Sequence, residues 1–142
     1  MKFILDSAPS EFAEWMQDNF YYRIPDSITT AEDMQSASVL MSQIINAYSY
    51  IQTLAATLSI MTTNLKEECP SKPDEKNSDK MQEYLRKKGQ YVAMSQKKKV
   101  VETQADILNK QYNCISRMVT IKLKSDEEIR MSDVRYGNIP GR

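Results

Sequence analysis

The residues whose types could do chemistry are concentrated in one stretch, residues 84–101, with the sequence YLRKKGQYVAMSQKKKVV. It holds two tyrosines and six basic residues, and Glu83 is the only acidic residue in 80–99. Single-stranded nucleic acid is bound by cations that follow its phosphates and by aromatic rings that stack on its bases. We call residues 84–99 the basic segment. It predicts a polyanion contact made by Tyr84, Arg86, Lys87, Lys88, Tyr91, Lys97, Lys98 and Lys99.

The basic segment also has structural interpretations. Lysine runs ordinarily form a solvated helix face or pair with an acidic surface, and this chain offers one. Residues 1–79 carry 5 Lys/Arg against 12 Asp/Glu, whereas residues 80–142 carry 14 against 7. The apolar seam of the following helix, extended backwards, passes through Lys98, Met94, Tyr91, Lys87 and Tyr84, so the tyrosines could be core residues. Gly89 would allow a kink or a helix start that brings backbone close to a phosphate.

The chemistry of catalysis and of metal binding is poorly represented in this sequence. The chain has no histidine, which removes the commonest general base and the commonest metal ligand. Cys69 and Cys114 form no C-x-x-C pair, and no phosphate-binding glycine loop or EF-hand loop occurs. We therefore expect a protein that is not an enzyme and that needs no metal or cofactor.

The spacing of apolar residues predicts the helices that position the basic segment. Residues 9–20 predict a short helix with an aromatic face. Residues 30–66 predict a long helix, preceded by a capping-box pattern in which Thr29 stands three residues before Glu32. The apolar residues of this helix advance by alternating steps of three and four, which is a sustained heptad seam.

The second half of the chain repeats this pattern after a polar linker. Residues 67–79 contain two prolines and many charges, and residues 80–124 predict a second long helix. Residues 119–124 alternate as a strand would, but a lone strand has no partner, so helix is preferred. With a tail at 125–142, the predicted fold is all-α and a single domain over 1–142. It has a short N-terminal helix and two long helices in an antiparallel hairpin.

The apolar faces of the two long helices look too broad for one hairpin to cover, so we expect self-association into a homo-oligomer. The predicted oligomer interface lies on the two seams and consists of Met41, Ile44, Tyr48, Ile51, Leu58, Leu108, Tyr112, Ile115 and Val119. The apolar run near the start is far shorter than a signal sequence or a membrane span requires. A cytoplasmic protein with no membrane partner is the simplest expectation.

The order of these parts resembles the UvsY-type phage recombination mediators. The resemblance lies in a long helix at 30–66, a polar linker, the basic segment, and then a heptad-like helix that contains ILNKQYNCISRMV at 107–119. It implies a small helical oligomer that binds single-stranded DNA and helps to load a recombinase. It would place DNA contacts on Lys87, Lys88, Lys97, Lys98 and Lys99 with Tyr84 or Tyr91, and assembly on Leu108, Tyr112, Ile115 and Val119.

Two functions of different classes follow from these observations. The first is a non-enzymatic, phage-like accessory protein of recombination or replication that binds single-stranded DNA or another polyanion. The alternative is a coiled-coil module that binds another protein, as an inhibitor or as a virion assembly or scaffold factor, and that uses the acidic N-terminal half.

Overall fold

The computed structural model describes residues 2–74 and 76–135, with side chains as far as residue 133. These residues form four α-helices: α1 Lys2–Asp6, α2 Pro9–Phe20, α3 Ala31–Glu68 and α4 Ser78–Arg135. No strand occurs in this part of the chain, so the all-α prediction is confirmed, and residues 119–124 are helical. Of the helices described, none combines the length and the apolar composition that crossing a bilayer requires.

The start of α3 is fixed by a reciprocal cap. The Thr30 hydroxyl accepts from the Asp33 amide at 3.0 Å, while the Asp33 carboxylate accepts from the amides of Thr29 at 2.9 Å and Thr30 at 3.0 Å. These hydrogen bonds, the Thr29 amide first, lower the pKa of Asp33 to about 2. The cap therefore uses Thr30 and Asp33, one residue later than the predicted pair of Thr29 and Glu32.

Both ends of α4 extend beyond the prediction. Asn77 caps its start, since its Oδ1 accepts from the Lys80 amide at 3.2 Å. At the other end α4 continues through residues 125–135, which were expected to belong to a tail. An ion pair of 2.7 Å between Lys122 and Asp126 crosses the predicted end, and no glycine or proline interrupts the helix there. The rest of the predicted tail, residues 136–142, lies outside the described residues.

The chain divides into two compact units, each of which contains part of α3 and part of α4. The first comprises Met1–Tyr21 and Ala47–Ile107, and the second comprises Tyr22–Asn46 and Leu108–Arg142. The late part of α3 thus shares a unit with the early part of α4, and the early part of α3 with the late part of α4. In each unit a part of α3 is therefore combined with a part of α4, and the helical hairpin stays a prediction.

In the first unit an aromatic cluster joins α2 to its neighbours. The Trp15 ring centroid lies 5.8 Å from that of Phe3, 6.0 Å from that of Phe12 and 5.7 Å from that of Phe20. Phe20 in turn stacks on Tyr50 of α3 at 5.7 Å. Aromatic rings at these separations contribute beyond their buried area, so the cluster holds α1 and α2 against α3.

The heptad seams are buried within a single chain. Ile51 and Leu58 are fully buried in the first unit, and Ile44, Leu108 and Ile115 are buried in the second. The other residues predicted with them are half-buried: Met41, Tyr48, Tyr112 and Val119. The structure therefore corrects the assignment of the five buried side chains to an interface between copies, because their burial needs no second chain. A role for the four half-buried residues in an oligomer interface, and self-association itself, stay predictions.

Replacing Ile51 by alanine should lower the free energy of unfolding by about 2 to 5 kcal/mol, because it opens a cavity in a closed core. Ile60 is the matched control in the same helix and unit, since its side chain is 64% exposed. Ile60→Ala should change stability by no more than about 0.5 kcal/mol. Urea denaturation followed by circular dichroism measures both variants, and equal losses would contradict this description of the core.

Candidate nucleic-acid interface

The basic segment lies within α4, in the first unit. α4 begins at Ser78 and runs as continuous helix through Gly89, so the helix start predicted there does not occur. A Cβ built on Gly89 would meet nothing within 4 Å. The glycine is therefore not required by a close approach of protein, and the segment presents its side chains from a regular helix.

Most cations of the basic segment face solvent without an acidic partner. Arg86, Lys88 and Lys99 are exposed, and Lys87 and Lys98 are half-buried. Lys98 lies 3.8 Å from Glu102, a partly exposed pair of the kind that contributes little. Within the described residues no carboxylate lies within 4.0 Å of the other four cations. Their charge is not neutralised by direct ion pairs.

The acidic half of the sequence does not supply the missing partners. Glu11, Glu14 and Asp18 are exposed on α2, and Glu67 and Glu68 are exposed at the end of α3, all in the same unit as the basic segment. In the described part of that unit, no ion pair joins any of them to the basic segment. Among the residues that the structure describes, mutual neutralisation of the two halves, which the sequence left open, is not seen as direct ion pairs.

Tyr84 and Tyr91 are half-buried. Their exposure is thus intermediate between that expected of base-stacking residues and that expected of core residues. The Lys88 ammonium stands 5.6 Å from the centroid of the Tyr84 ring, a cation–π contact. Residues four and seven apart share a helix face, so Tyr84, Lys88 and Tyr91 lie along one stripe. Each ring therefore has a packed part and an exposed part beside exposed cations.

Lys97 departs from the prediction. Its side chain is only 2% exposed, and its ammonium donates to the main-chain carbonyls of Ile4 at 2.8 Å and Leu5 at 3.0 Å. These carbonyls belong to the last turn of α1, where no intrahelical donor reaches them. Burial lowers the pKa of Lys97, which the nearby Asp6 carboxylate partly opposes. Lys97 is thus a structural residue and is not available to phosphate in this conformation.

Lys97 is the first of three residues that we call the polar ladder: Lys97, Gln104 and Gln111. They stand seven apart on α4, and each donates from its side chain to a main-chain carbonyl of the N-terminal segment. Gln104 Nε2 donates to Phe20 at 3.0 Å, and Gln111 Nε2 donates to Tyr22 at 2.9 Å. In the sequence, the ladder is visible as a polar residue that recurs every seven positions next to the apolar seam. The apolar pattern alone does not predict the hydrogen bonds that these residues make.

The described residues hold no cluster of three or more His, Cys, Asp or Glu side chains that could bind a metal ion. Cys69 is half-buried and Cys114 exposed, and both are free thiols. Besides its exposed carboxylates, the first unit offers at its surface the exposed cations and half-buried tyrosines of the basic segment.

Lys97→Met should destabilise the protein by about 1 to 3 kcal/mol, because it keeps the buried stem and leaves two carbonyls without a donor. Lys99→Met makes the same chemical change at an exposed site and should be nearly neutral. Trp15 is the only tryptophan and contacts Phe3 of α1, so its fluorescence in a urea titration reports the change directly. Equal midpoints for the two variants would show that the Lys97 contacts contribute nothing.

Comparison of the chain with protein-family models, with curated proteins and with solved structures found no match.

Proposed function

We propose that this chain is a non-enzymatic protein that binds single-stranded nucleic acid through the exposed cations of the basic segment. The contact would consist of Arg86, Lys87, Lys88, Lys98 and Lys99, with Tyr84 and Tyr91 stacking on bases. The layout resembles recombination mediators, and this likeness suggests an accessory role in recombination or replication. A cytoplasmic location stays a prediction from the sequence.

The observation that carries the proposal is the lack of acidic partners for Arg86, Lys87, Lys88 and Lys99 within the described residues. Arg86, Lys87 and Lys88 are consecutive, and Lys99 lies about three turns further along the same helix, so their unpaired charges create a local positive potential. A phosphate backbone is attracted to that potential and releases its own counterions on binding. The half-exposed rings of Tyr84 and Tyr91 on the same face add a surface on which unpaired bases stack.

The alternative is a module that binds another protein through the acidic N-terminal half. Glu11, Glu14 and Asp18 are exposed and stand three and four residues apart, so they line one face of α2. A partner bound there would be insensitive to changes in the basic segment. Nucleic acid binding through the basic segment would conversely be insensitive to neutral substitutions on α2, and this difference separates the two functions.

Binding of a fluorescein-labelled oligothymidylate should fall steeply with salt. Five phosphate contacts give a slope of about −3.5 in log K against log salt, which is roughly a 100-fold loss over a fourfold rise in salt. Replacing Lys98 and Lys99 together by glutamine should reduce the magnitude of this slope by about 1.4, because two counterions are no longer released. Fluorescence anisotropy at several salt concentrations measures both quantities.

The matched control for that double variant replaces Lys110 and Lys124, which are exposed on α4 outside the basic segment. It removes the same charge from the protein and should leave the slope unchanged. An oligonucleotide that fails to bind at low salt would refute the proposal. So would equal losses in the two double variants, because general electrostatic attraction would then account for all of the binding.

Tyr91→Leu tests the stacking contribution, because leucine keeps an apolar side chain on the helix and removes the ring face. We expect binding to weaken by about 1 to 3 kcal/mol, roughly 5- to 150-fold, with an unchanged slope against salt. Tyr21→Leu is the control, since Tyr21 is 75% exposed and lies outside the basic segment. A lower unfolding midpoint with unchanged affinity would instead identify Tyr91 as a core residue.

A further inference from the structure

A cavity of about 590 Å³ lies in the first unit between the α1–α2 connection, the end of α3 and the early part of α4. Its apolar wall includes Leu5, Pro9, Met61, Leu65 and Met94. A volume of this size is typical of sites that take a small ligand or a few residues of a peptide. The proposed nucleic acid contact uses none of these apolar side chains.

The charges around this cavity favour a cationic ligand. It is lined by three charged residues, namely Asp6, Glu68 and Lys97. The two acidic residues are exposed, whereas Lys97 is buried and its ammonium donates to two carbonyls. The accessible charge at the rim is therefore negative, which disfavours phosphate and favours a positively charged group.

The polar ladder indicates which group of a bound ligand would contact α4, because each ladder residue donates to a main-chain carbonyl. Gln90 stands seven residues before Lys97, on the same stripe of the helix as the ladder, and it lines the cavity. The three ladder residues each donate to a main-chain carbonyl, whereas the Gln90 side chain is exposed and makes no hydrogen bond within the described residues. Gln90 thus occupies the next position of the ladder without a carbonyl to hold.

Ser7 supplies a second polar group at this place. It lines the cavity and is 9% exposed, and its hydroxyl has no hydrogen-bond partner within the described residues. Buried hydroxyls are normally paired, so an unpaired one beside an open cavity is consistent with a site that is completed by a ligand.

We infer that this cavity binds an extended segment of another protein, with an apolar side chain in the cavity, a main-chain carbonyl on Gln90 and a flanking Lys or Arg beside Asp6 and Glu68. This site is independent of the proposed polyanion contact. The acidic rim favours a Lys or Arg beside the bound side chain, and the apolar wall favours an apolar side chain in the cavity. Gln90 can donate to a main-chain carbonyl of the bound segment.

The test uses two fluorescein-labelled peptides, capped at both ends, with the sequences Arg-Leu-Gly-Leu-Arg and Glu-Leu-Gly-Leu-Glu. The basic peptide should bind the full chain at least about fivefold more tightly than the acidic one, as expected for a partly screened rim charge. Glu68→Gln should weaken the basic peptide by about fivefold, and Glu67→Gln, an exposed neighbour that does not line the cavity, should not.

The hydrogen bond has its own matched pair. Gln90→Leu should weaken the basic peptide by about two- to tenfold, the effect of one hydrogen bond, while Gln82→Leu, which is exposed and outside the cavity, should have no effect. Equal effects of the paired variants, or no binding of the basic peptide, would overturn the inference. A wild-type dimer that Gln90→Leu dissociates, with no peptide binding, would also overturn it and make a second copy the occupant.

Discussion

Hydrogen bonds from three side chains of α4 to main-chain carbonyls hold the N-terminal segment of this protein in place. Residues 21–30 between α2 and α3 are not helical, and among them Thr30 alone has a main-chain hydrogen bond to a described helix, from the Met34 amide to its carbonyl. A buried carbonyl without a donor costs about 1 to 3 kcal/mol. Lys97 donates to the last turn of α1, Gln104 to the end of α2, and Gln111 to Tyr22. The aromatic cluster around Trp15 adds to this by packing α1 and α2 against α3.

The position of α1 also gives the three lysines at 97–99 different environments. Successive residues of an α-helix point about 100° apart, so Lys97, Lys98 and Lys99 cannot share one environment. Lys97 lies on the core side and donates to α1, Lys98 lies at the border beside Glu102, and Lys99 is exposed. A run that looks uniform in the sequence therefore has one structural residue and two that can meet a ligand.

The sequence predicts most of the helices and little of what fixes their ends. Residues 9–20 are found as predicted, and the long helices differ from their predicted ranges mainly at the ends, where side-chain caps decide. α1 was not predicted, because five residues carry no periodicity and its end is satisfied by Lys97 from a distant part of the chain. Extended backwards from Val101, the predicted seam passes through Lys98, which is three residues earlier, whereas the buried residue is Lys97, which is four residues earlier. A step of three and a step of four both continue a heptad seam. Lys97 is the buried one because α1 lies against it.

Two surfaces of α4 differ in the charge of the ligand that they favour. Arg86, Lys88 and Lys99 face solvent as unpaired cations within the described residues, while Gln90 and Met94 line a cavity whose accessible charges are both acidic. A polyanion is attracted to the first and repelled by the second, and a basic peptide behaves in the opposite way. The two ligands would therefore not compete for one surface.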